Sequence, residues 1–180
     1  MSILRSLRRW LGAHDGMTHI VAGNPAPNFS LKSLDAKEFS LASALKKGPV
    51  VLAFFKVSCP VCKFTFPFLE RLYLRYKSDR VTFLGISQDN ASASRDFAQS
   101  FGVSFPILLD DASYTVSNAY GLSMVPTVLV IEPDGTAKVS SMGFVKADLE
   151  SIADMLAERQ NLTRAPVFLN SESIPAIKPG

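Results

Sequence analysis

The chain has 180 residues, of which 47% are hydrophobic and 19% are charged, and its formal net charge is +3. This composition excludes a disordered chain, and the length suits one globular domain with extensions. Its basic residues form no stripe interleaved with aromatic side chains, so no nucleic-acid partner is expected.

Residues 1–21 are predicted to form a basic amphipathic extension outside the domain. On a helical wheel, one face of about 120° is apolar and the opposite face carries arginines. The apolar residues are Ile3, Leu4, Leu7, Trp10 and Leu11, and the arginines are Arg5, Arg8 and Arg9. The apolar face is expected to pack on the protein's own core or on a second subunit. Weak contact of residues 1–20 with an anionic membrane surface is the alternative.

The sequence gives no sign of export or of membrane insertion. The basic start lacks the unbroken apolar stretch of about 7–15 residues that a signal peptide has. The longest apolar run, residues 50–55, is far shorter than the roughly 20 residues that span a bilayer. A cytoplasmic location is therefore expected, with association at a membrane surface as a variant of it.

Strand and helix patterns alternate over residues 22–160, which are predicted to form the domain. A proline-rich loop at 23–29 precedes two apolar clusters around the polar residues 35–37, which indicates a β-hairpin. Residues 50–55 are wholly apolar, as expected of a strand that helices cover on both faces of a sheet. This strand leads directly to Cys59.

The remaining elements continue the alternation. The predicted helices cover residues 60–77, 91–101, 113–120 and 146–159, and the predicted strands cover residues 81–86, 105–109, 127–131 and 137–142. Pro67 is expected to kink the first of these helices, and Asp89 or Asn90 to cap the second. The order indicates an α/β fold, and residues 161–180, which contain three prolines, are predicted to form an extended tail.

The segment Cys59-Pro60-Val61-Cys62 joins the apolar strand to the first long helix. Proline is favoured at the first helical position, so Pro60 places Cys59 at the N-cap. Backbone N–H groups and the helix dipole stabilise a thiolate there, and the cysteine pKa in such motifs falls to about 3.5–7.5. Cys59 is therefore predicted to be the nucleophile. Cys62 lies nearly one turn further along and is predicted to resolve a mixed disulfide formed on Cys59.

Zinc binding and a purely structural role are the alternatives for this pair. His14 and His19 would complete the four ligands that zinc requires. They precede the cysteines by about forty residues, however, and a strand-to-helix junction is not the tight turn of a zinc ribbon. Inert buried cysteines are disfavoured by Pro60 and by the helix start. No metal and no cofactor are therefore expected.

Five segments together carry a family resemblance. They are Asn24 to Phe29, Phe54 to Pro67, Gly85 to Asp89, Tyr120 to Thr127 and Glu132 to Gly135. They resemble thioredoxin-like redoxins of the alkyl hydroperoxide reductase/thiol-specific antioxidant superfamily, and are most similar to the membrane-anchored thiol-disulfide oxidoreductases of cytochrome maturation. The resemblance covers roughly residues 22–160. It implies a thioredoxin fold, with a central mixed β-sheet flanked by helices and an N-terminal β-hairpin extension.

The resemblance also implies where a partner binds. In this family the proline that matches Pro126 is cis, packs beside the cysteines, and lets the preceding residue bind the partner's backbone. Val125 and Pro126 are thus expected to form a docking edge for an extended substrate, with Pro60 and Val61 beside the reactive cysteine as further substrate-binding residues. The alternative for Pro126 is an ordinary proline at the start of a strand.

Three positions depart from the family pattern. Ala53 stands where thioredoxins carry a buried acid, and Thr65 stands where the cytochrome-maturation relatives carry a glutamate. Ser58 replaces the aromatic residue that often precedes the first cysteine. With neither carboxylate present, the proton acceptor for Cys62 is left open between water, the Thr65 hydroxyl and a distant acid such as Glu70.

The sequence therefore predicts a thiol-disulfide oxidoreductase, whose partners are thiols or disulfides of proteins or small molecules and an external reductant. A peroxiredoxin-type thiol peroxidase is the alternative. Its Pro-x-x-x-Thr/Ser-x-x-Cys motif fits neither cysteine, because Leu52 and Lys56 hold the two positions before Cys59, and Phe55 and Cys59 hold those before Cys62. A non-catalytic binding module is a third possibility, against which the intact cysteine pair argues.

Overall fold

A computed structural model describes residues 19–111 and 113–180 of the chain. The strands are β1 (Ser30–Lys32), β2 (Glu38–Ser40), β3 (Val50–Phe55), β4 (Thr82–Ser87), β5 (Ile107–Leu109), β6 (Thr127–Ile131), β7 (Ala137–Met142), β8 (Phe144–Val145) and β9 (Ile177–Lys178). The helices are α1 (Leu41–Leu45), α2 (Pro60–Tyr76), α3 (Ala91–Phe101), α4 (Thr115–Ala119) and α5 (Lys146–Arg159).

The central sheet is mixed, with the strand order β5-β4-β3-β6-β7. The strand pairs β3–β4 and β4–β5 are parallel, whereas β3–β6 and β6–β7 are antiparallel. Because β3 and β6 run in opposite directions, the end of β3 lies beside the start of β6, with Phe54 opposite Thr127. The residues that follow β3 and those that precede β6 therefore meet at one edge of the sheet.

Strand β3 is buried on both of its faces, as its apolar sequence predicts. Successive side chains of a strand point to opposite sides of the sheet. Val51 and Phe55 accordingly pack in the core that α2, α3 and α5 cover, while Leu52 and Phe54 pack in the core that α1 and α4 cover. The predicted sheet flanked by helices is confirmed.

Helix α2 begins at Pro60, immediately after the cysteine at its N-cap. Pro67 lies inside the helix, where proline cannot donate a backbone hydrogen bond, yet α2 is one continuous element to Tyr76. Helix α3 begins after Asn90, whose side chain accepts a hydrogen bond of 3.0 Å from the Ala93 N–H. Of the two predicted caps of α3, Asn90 thus fills the position.

The predicted hairpin consists of β1 and β2, which pair antiparallel. It contacts the edge of the central sheet at β5, where Ser33 pairs with Leu108 and the Leu34 N–H donates to the Ile107 carbonyl at 3.0 Å. The hairpin therefore extends the fold at the β5 edge of the central sheet, with β4 between β5 and the strand β3 that leads to Cys59.

Residues 161–180, the predicted tail, pack on α2 and α5. Phe168 is buried, and its ring centroid lies 4.9 Å from that of Phe68 and 5.9 Å from that of Phe144. Arg71 of α2 donates two hydrogen bonds to the Glu172 carboxylate, at 2.8 and 2.9 Å. This part of the tail belongs to the packed domain.

Gly48 precedes β3 in a conformation that favours glycine, with φ of +151°. A Cβ at this position would lie 1.9 Å from the carbonyl oxygen of Arg80. Only a residue without a side chain therefore lets the chain enter the sheet here.

Candidate active site

The loop between β3 and α2 positions Cys59 at the edge of the sheet. The Val57 N–H donates to the Asp89 carboxylate at 2.7 Å, and the Cys59 N–H donates to the Lys56 carbonyl at 3.2 Å. Asp89 follows β4, the parallel neighbour of β3. A carboxylate from the next strand end thus fixes the turn that presents the cysteine.

The sequence predicts Asp89 as a possible cap of α3 and as the end of one segment that resembles the family, but gives it no part in the site. The sequence contains one signal for such a part, since Asp89 comes three residues after the end of a predicted strand. Parallel strands end at the same edge of a sheet, so polar residues after β3 and β4 come close together. Asp89 is a positioning residue, because it contacts the loop and neither cysteine.

Cys59 is the N-cap of α2, as its place before Pro60 predicts. Its Sγ accepts a hydrogen bond of 3.1 Å from the Cys62 N–H and donates one of 3.3 Å to the Val125 carbonyl. The side chain is half-buried. A backbone N–H aimed at the sulfur, together with the positive end of the helix, stabilises negative charge on Cys59.

Cys62 lies behind Cys59 and is completely buried. The two cysteines lie 2.9 Å apart and are not joined by a disulfide. Burial raises the pKa of the Cys62 thiol strongly, and the hydrogen bond and the negative charge of Cys59 raise this pKa further. The two sulfurs thus differ in access, since Cys59 is half-buried and Cys62 is completely buried.

The residues predicted to bind substrate lie on both sides of Cys59. Pro60 is exposed and Val61 is half-buried, both in the first turn of α2. Val125 is half-buried, Pro126 is buried, and the peptide bond between them is cis. The structure therefore brings Val125, which is 66 residues away in sequence, against Cys59.

The described surroundings of Cys62 offer few groups that could accept its proton. Ala53 is buried in β3, and the hydroxyl of buried Thr65 donates to the Val61 carbonyl at 2.7 Å. Glu70 accepts a hydrogen bond of 2.8 Å from the Ser104 N–H and a second from the Ser104 hydroxyl. Within residues 19–111 and 113–180, no carboxylate hydrogen-bonds to Cys62.

His19 does not join the cysteines in a metal site. The His19 ring contacts the Ser140 hydroxyl on β7 at 2.9 Å, and His14 lies outside the described residues. No cluster of three or more His, Cys, Asp or Glu side chains suited to a metal ion occurs in the described ranges.

The described part of the chain contains no helix long and apolar enough to span a bilayer. The predicted amphipathic helix lies almost wholly within residues 1–18, outside the described residues. The cytoplasmic location and the membrane-surface contact therefore stay predictions.

Known proteins with similar sequences include thiol-disulfide oxidoreductases. The AhpC/TSA family matches residues 22–140, a range that includes both cysteines and Pro126. Thiol-disulfide oxidoreductase ResA of Bacillus subtilis (strain 168) is 35% identical over 121 residues, which are 67% of this chain and 66% of that protein. The protein of the same name from Geobacillus thermodenitrificans (strain NG80-2) is 33% identical over 141 residues, 75% of this chain and 80% of that protein.

A solved structure of a thioredoxin family protein has a similar fold. The crystal structure of a thiol:disulfide interchange protein, a thioredoxin family protein from Chlorobium tepidum TLS, is 27% identical with a TM-score of 0.63. The similarity covers 74% of this chain and 96% of that chain. The predicted thioredoxin fold is confirmed.

Proposed function

Because this chain belongs to the AhpC/TSA family and is a thiol-disulfide oxidoreductase, we propose that it exchanges disulfides with its partners through Cys59 and Cys62. One observation carries the proposal. Half-buried Cys59 receives the Cys62 N–H at the start of α2, while Cys62 itself is completely buried behind it. A reachable thiol with a stabilised anion, backed by a second thiol within reach, is the arrangement that exchange through a mixed disulfide needs.

The exchange proceeds in two balanced steps. The Cys59 thiolate attacks one sulfur of a partner disulfide, forms a bond to it, and releases the other sulfur as a thiolate. Cys62 then gives up its proton and attacks the Cys59 sulfur, which releases the second partner thiol. The protein loses two electrons and ends with a Cys59–Cys62 disulfide, while the partner gains two electrons. An external reductant restores the two thiols by the same steps in reverse.

The partner is a thiol or disulfide of a protein or of a small molecule. We place an extended protein partner along Val125 and Pro126, beside the exposed Pro60 and the half-buried Val61. The Val125 carbonyl supports this placement because it lies 3.3 Å from the Cys59 sulfur. A partner whose backbone pairs with Val125 would hold its own sulfur next to Cys59.

The assignment of roles is tested by trapping. Cys62→Ser should accumulate a mixed disulfide on Cys59, since no second thiol can release the partner. Cys59→Ser should trap little, because the remaining thiol is buried and protonated. Non-reducing electrophoresis and mass spectrometry of both variants, with the Cys59→Ser/Cys62→Ser protein as control, measure the trapped fraction. Faster labelling of Cys62 than of Cys59 by iodoacetamide at neutral pH in the reduced wild type would reverse the assignment.

The same preparations address the peroxidase alternative. The motif that polarises a peroxide is absent around both cysteines, because Leu52 and Lys56 occupy its positions before Cys59. We therefore expect consumption of hydrogen peroxide by the reduced protein to be far slower than reduction of a disulfide. Peroxide turnover that matches or exceeds disulfide turnover would favour the peroxidase.

A further inference from the structure

Residues 176–180, called here the terminal segment, lie against the candidate active site. Two of them form β9, which pairs antiparallel with β8, placing Lys178 opposite Phe144 and Ile177 opposite Val145. The Lys146 N–H also donates to the Ala176 carbonyl at 2.9 Å. The terminal segment is thus an added strand, held mainly by its backbone.

The terminal segment ends on the carbonyl that contacts Cys59. A Cβ placed on Gly180 would lie 2.4 Å from the Val125 carbonyl oxygen and 3.1 Å from its carbon, so the main chain of Gly180 packs directly on this group. The same oxygen accepts the hydrogen bond from the Cys59 Sγ at 3.3 Å. Gly180 and the Cys59 sulfur therefore both contact the Val125 carbonyl.

Lys178 makes further contacts near Pro126 and on α2. The Gly143 N–H donates to the Pro126 carbonyl at 2.8 Å, and a Cβ on Gly143 would lie 2.6 Å from the Lys178 carbonyl oxygen. The Lys178 ammonium lies 4.8 Å from the ring centroid of Phe64, two residues after Cys62 in α2. The terminal segment thus contacts both the docking edge before β6 and the helix that carries the cysteines.

The attachment of the terminal segment is weak compared with that of the residues before it. Ile177 is 63% exposed and β9 has only two residues, so little apolar surface is lost when the segment leaves. Val167 and Phe168, by contrast, are buried in the main core, and Glu172 is bound by Arg71. Residues 176–180 can therefore separate from the protein while the rest of the tail stays in place.

We propose that the terminal segment occupies the docking place of an extended polypeptide partner, which must displace it to pair with Val125 and reach Cys59. The inference rests on the proposed function. The main chain of Gly180 fills the space at the Val125 carbonyl that the backbone of a bound peptide would need, and two chains cannot fill that space together. A small disulfide needs no pairing edge. The structure thus assigns residues 176–180 a discriminating role against protein partners and none against small disulfides.

Two matched disulfides test the proposal with the reduced protein. One is 2-hydroxyethyl disulfide, which is small and neutral. The other is a short unstructured peptide whose central cysteine forms a disulfide with 2-mercaptoethanol. Both contain the same small thiol, so they differ in the peptide alone. Stopped-flow rate constants for Cys59 oxidation are compared in wild type, Lys178→Ala and Gly180→Ala, with Lys138→Ala as the control for the loss of one exposed lysine charge.

The two segment variants loosen the contact in different ways. Lys178→Ala removes the cation above Phe64, and Gly180→Ala places a methyl group where the Val125 carbonyl stands. An exposed cation–π contact of this kind corresponds to about a two- to fivefold change in an equilibrium. We expect Lys178→Ala to accelerate the peptide reaction by about this factor. Gly180→Ala should accelerate it as well, because the added methyl group pushes the segment off the Val125 carbonyl. Both variants should leave the 2-hydroxyethyl disulfide reaction unchanged. Lys138→Ala should change neither reaction.

Amide hydrogen exchange gives a direct readout of displacement. In Cys62→Ser trapped with the peptide, the Lys146 N–H should lose the protection that its bond to Ala176 provides. The same variant trapped with 2-mercaptoethanol should keep it. The inference is overturned if the Lys146 N–H stays protected in the peptide complex, or if both segment variants react with the peptide no faster than wild type. In either case, reaction of the wild type with 2-hydroxyethyl disulfide still supports the proposed function. Failure of the wild type to react with either disulfide overturns the proposed function itself, and the inference with it.

Discussion

Release of a partner from Cys59 should be limited by the proton on Cys62, and Thr65→Glu should relieve this limit. Burial is the main cause that raises the Cys62 pKa above its ordinary value of 9.0. When Cys59 is bound in a mixed disulfide, its charge and its hydrogen bond no longer act on Cys62, but the burial remains. Resolution therefore starts from a thiol that is protonated at neutral pH.

The magnitude follows from the direction of this pKa shift. With a pKa above 9.0, fewer than about one Cys62 in a hundred is a thiolate at pH 7, and this fraction rises about tenfold per pH unit. The rate of resolution in the wild type should therefore increase roughly a hundredfold between pH 7 and pH 9. Among the described residues, neither predicted side-chain acceptor is directed at Cys62, since Glu70 is bound by Ser104 and the Thr65 hydroxyl donates to the Val61 carbonyl.

A glutamate at position 65 lies one turn from Cys62 on the same side of α2. Thr65 is 1% exposed, and burial raises the pKa of a carboxyl group towards neutrality, where it serves best as a general base. We expect resolution at pH 7 to be about tenfold faster or more, with a flatter pH profile. Thr65→Gln is the control, because it has nearly the same size and loses the same hydrogen bond to Val61 without gaining a base.

The assay is stopped-flow release of a thiol chromophore from a preformed Cys59 mixed disulfide, between pH 6 and pH 10, in the three proteins. Equilibrium unfolding of each protein at each pH confirms that the folded state is being compared. A wild-type rate that is already fast and independent of pH would show that another group accepts the proton. Equal rates for Thr65→Glu and Thr65→Gln would show that a carboxylate at this position does not reach Cys62.

Three further predictions concern the stability of the fold. Gly48→Ala should lower the free energy of unfolding in urea by more than about 1 kcal/mol, because its methyl group meets a backbone carbonyl. Gly102→Ala is the control, and it should lower this free energy by less, because Gly102 has a positive φ but open surroundings. Phe168→Ala should cost about 3 kcal/mol or more, against less than about 0.5 kcal/mol for exposed Leu169→Ala; equal values would place the tail outside the core. The pKa of Glu172 is lowered from 4.5 to about 2, first by its arginine partner, so its contribution is present above pH 4.5 and is lost as pH falls towards 2. Hydrogen exchange of the Leu169 N–H, which donates to Glu172, should rise over that range relative to its intrinsic rate and should not do so in Glu172→Gln.

The long elements could be predicted because each repeats its pattern several times. Strand β3 is six apolar residues in a row, and α3 and α5 follow their predicted bounds. Helix α1 was not predicted, since its five residues give barely more than one turn of periodicity. The two-residue strands β8 and β9 carry no pattern at all. Their pairing is decided by tertiary contacts that a local sequence window does not contain.

The candidate site divides in the same way. The N-cap position of Cys59 could be predicted, because it follows from the adjacent Pro60 and from the apolar strand before it. The contact of Cys59 with Val125 depends on the antiparallel pairing of β3 and β6, and only the family resemblance pointed to it. Glu70 was a candidate proton acceptor, but its bonds to Ser104 are invisible in the sequence. Nothing in the sequence indicated the contact of Gly180 with Val125, because this contact depends on the tertiary placement of residues 176–180.

The distance in sequence between Cys59 and Val125 also determines when the reactive thiol becomes shielded during synthesis. A ribosome adds roughly 5–20 residues per second, so the 66 residues between them take about 3–13 s. From the addition of Tyr76 to that of Val125, β3 and α2 have been made, whereas β6 has not, and neither Val125 nor Gly180 lies beside the sulfur. During that interval the Cys59 sulfur therefore lacks the Val125 carbonyl as a neighbour, and we expect the surroundings to oxidise it most easily then.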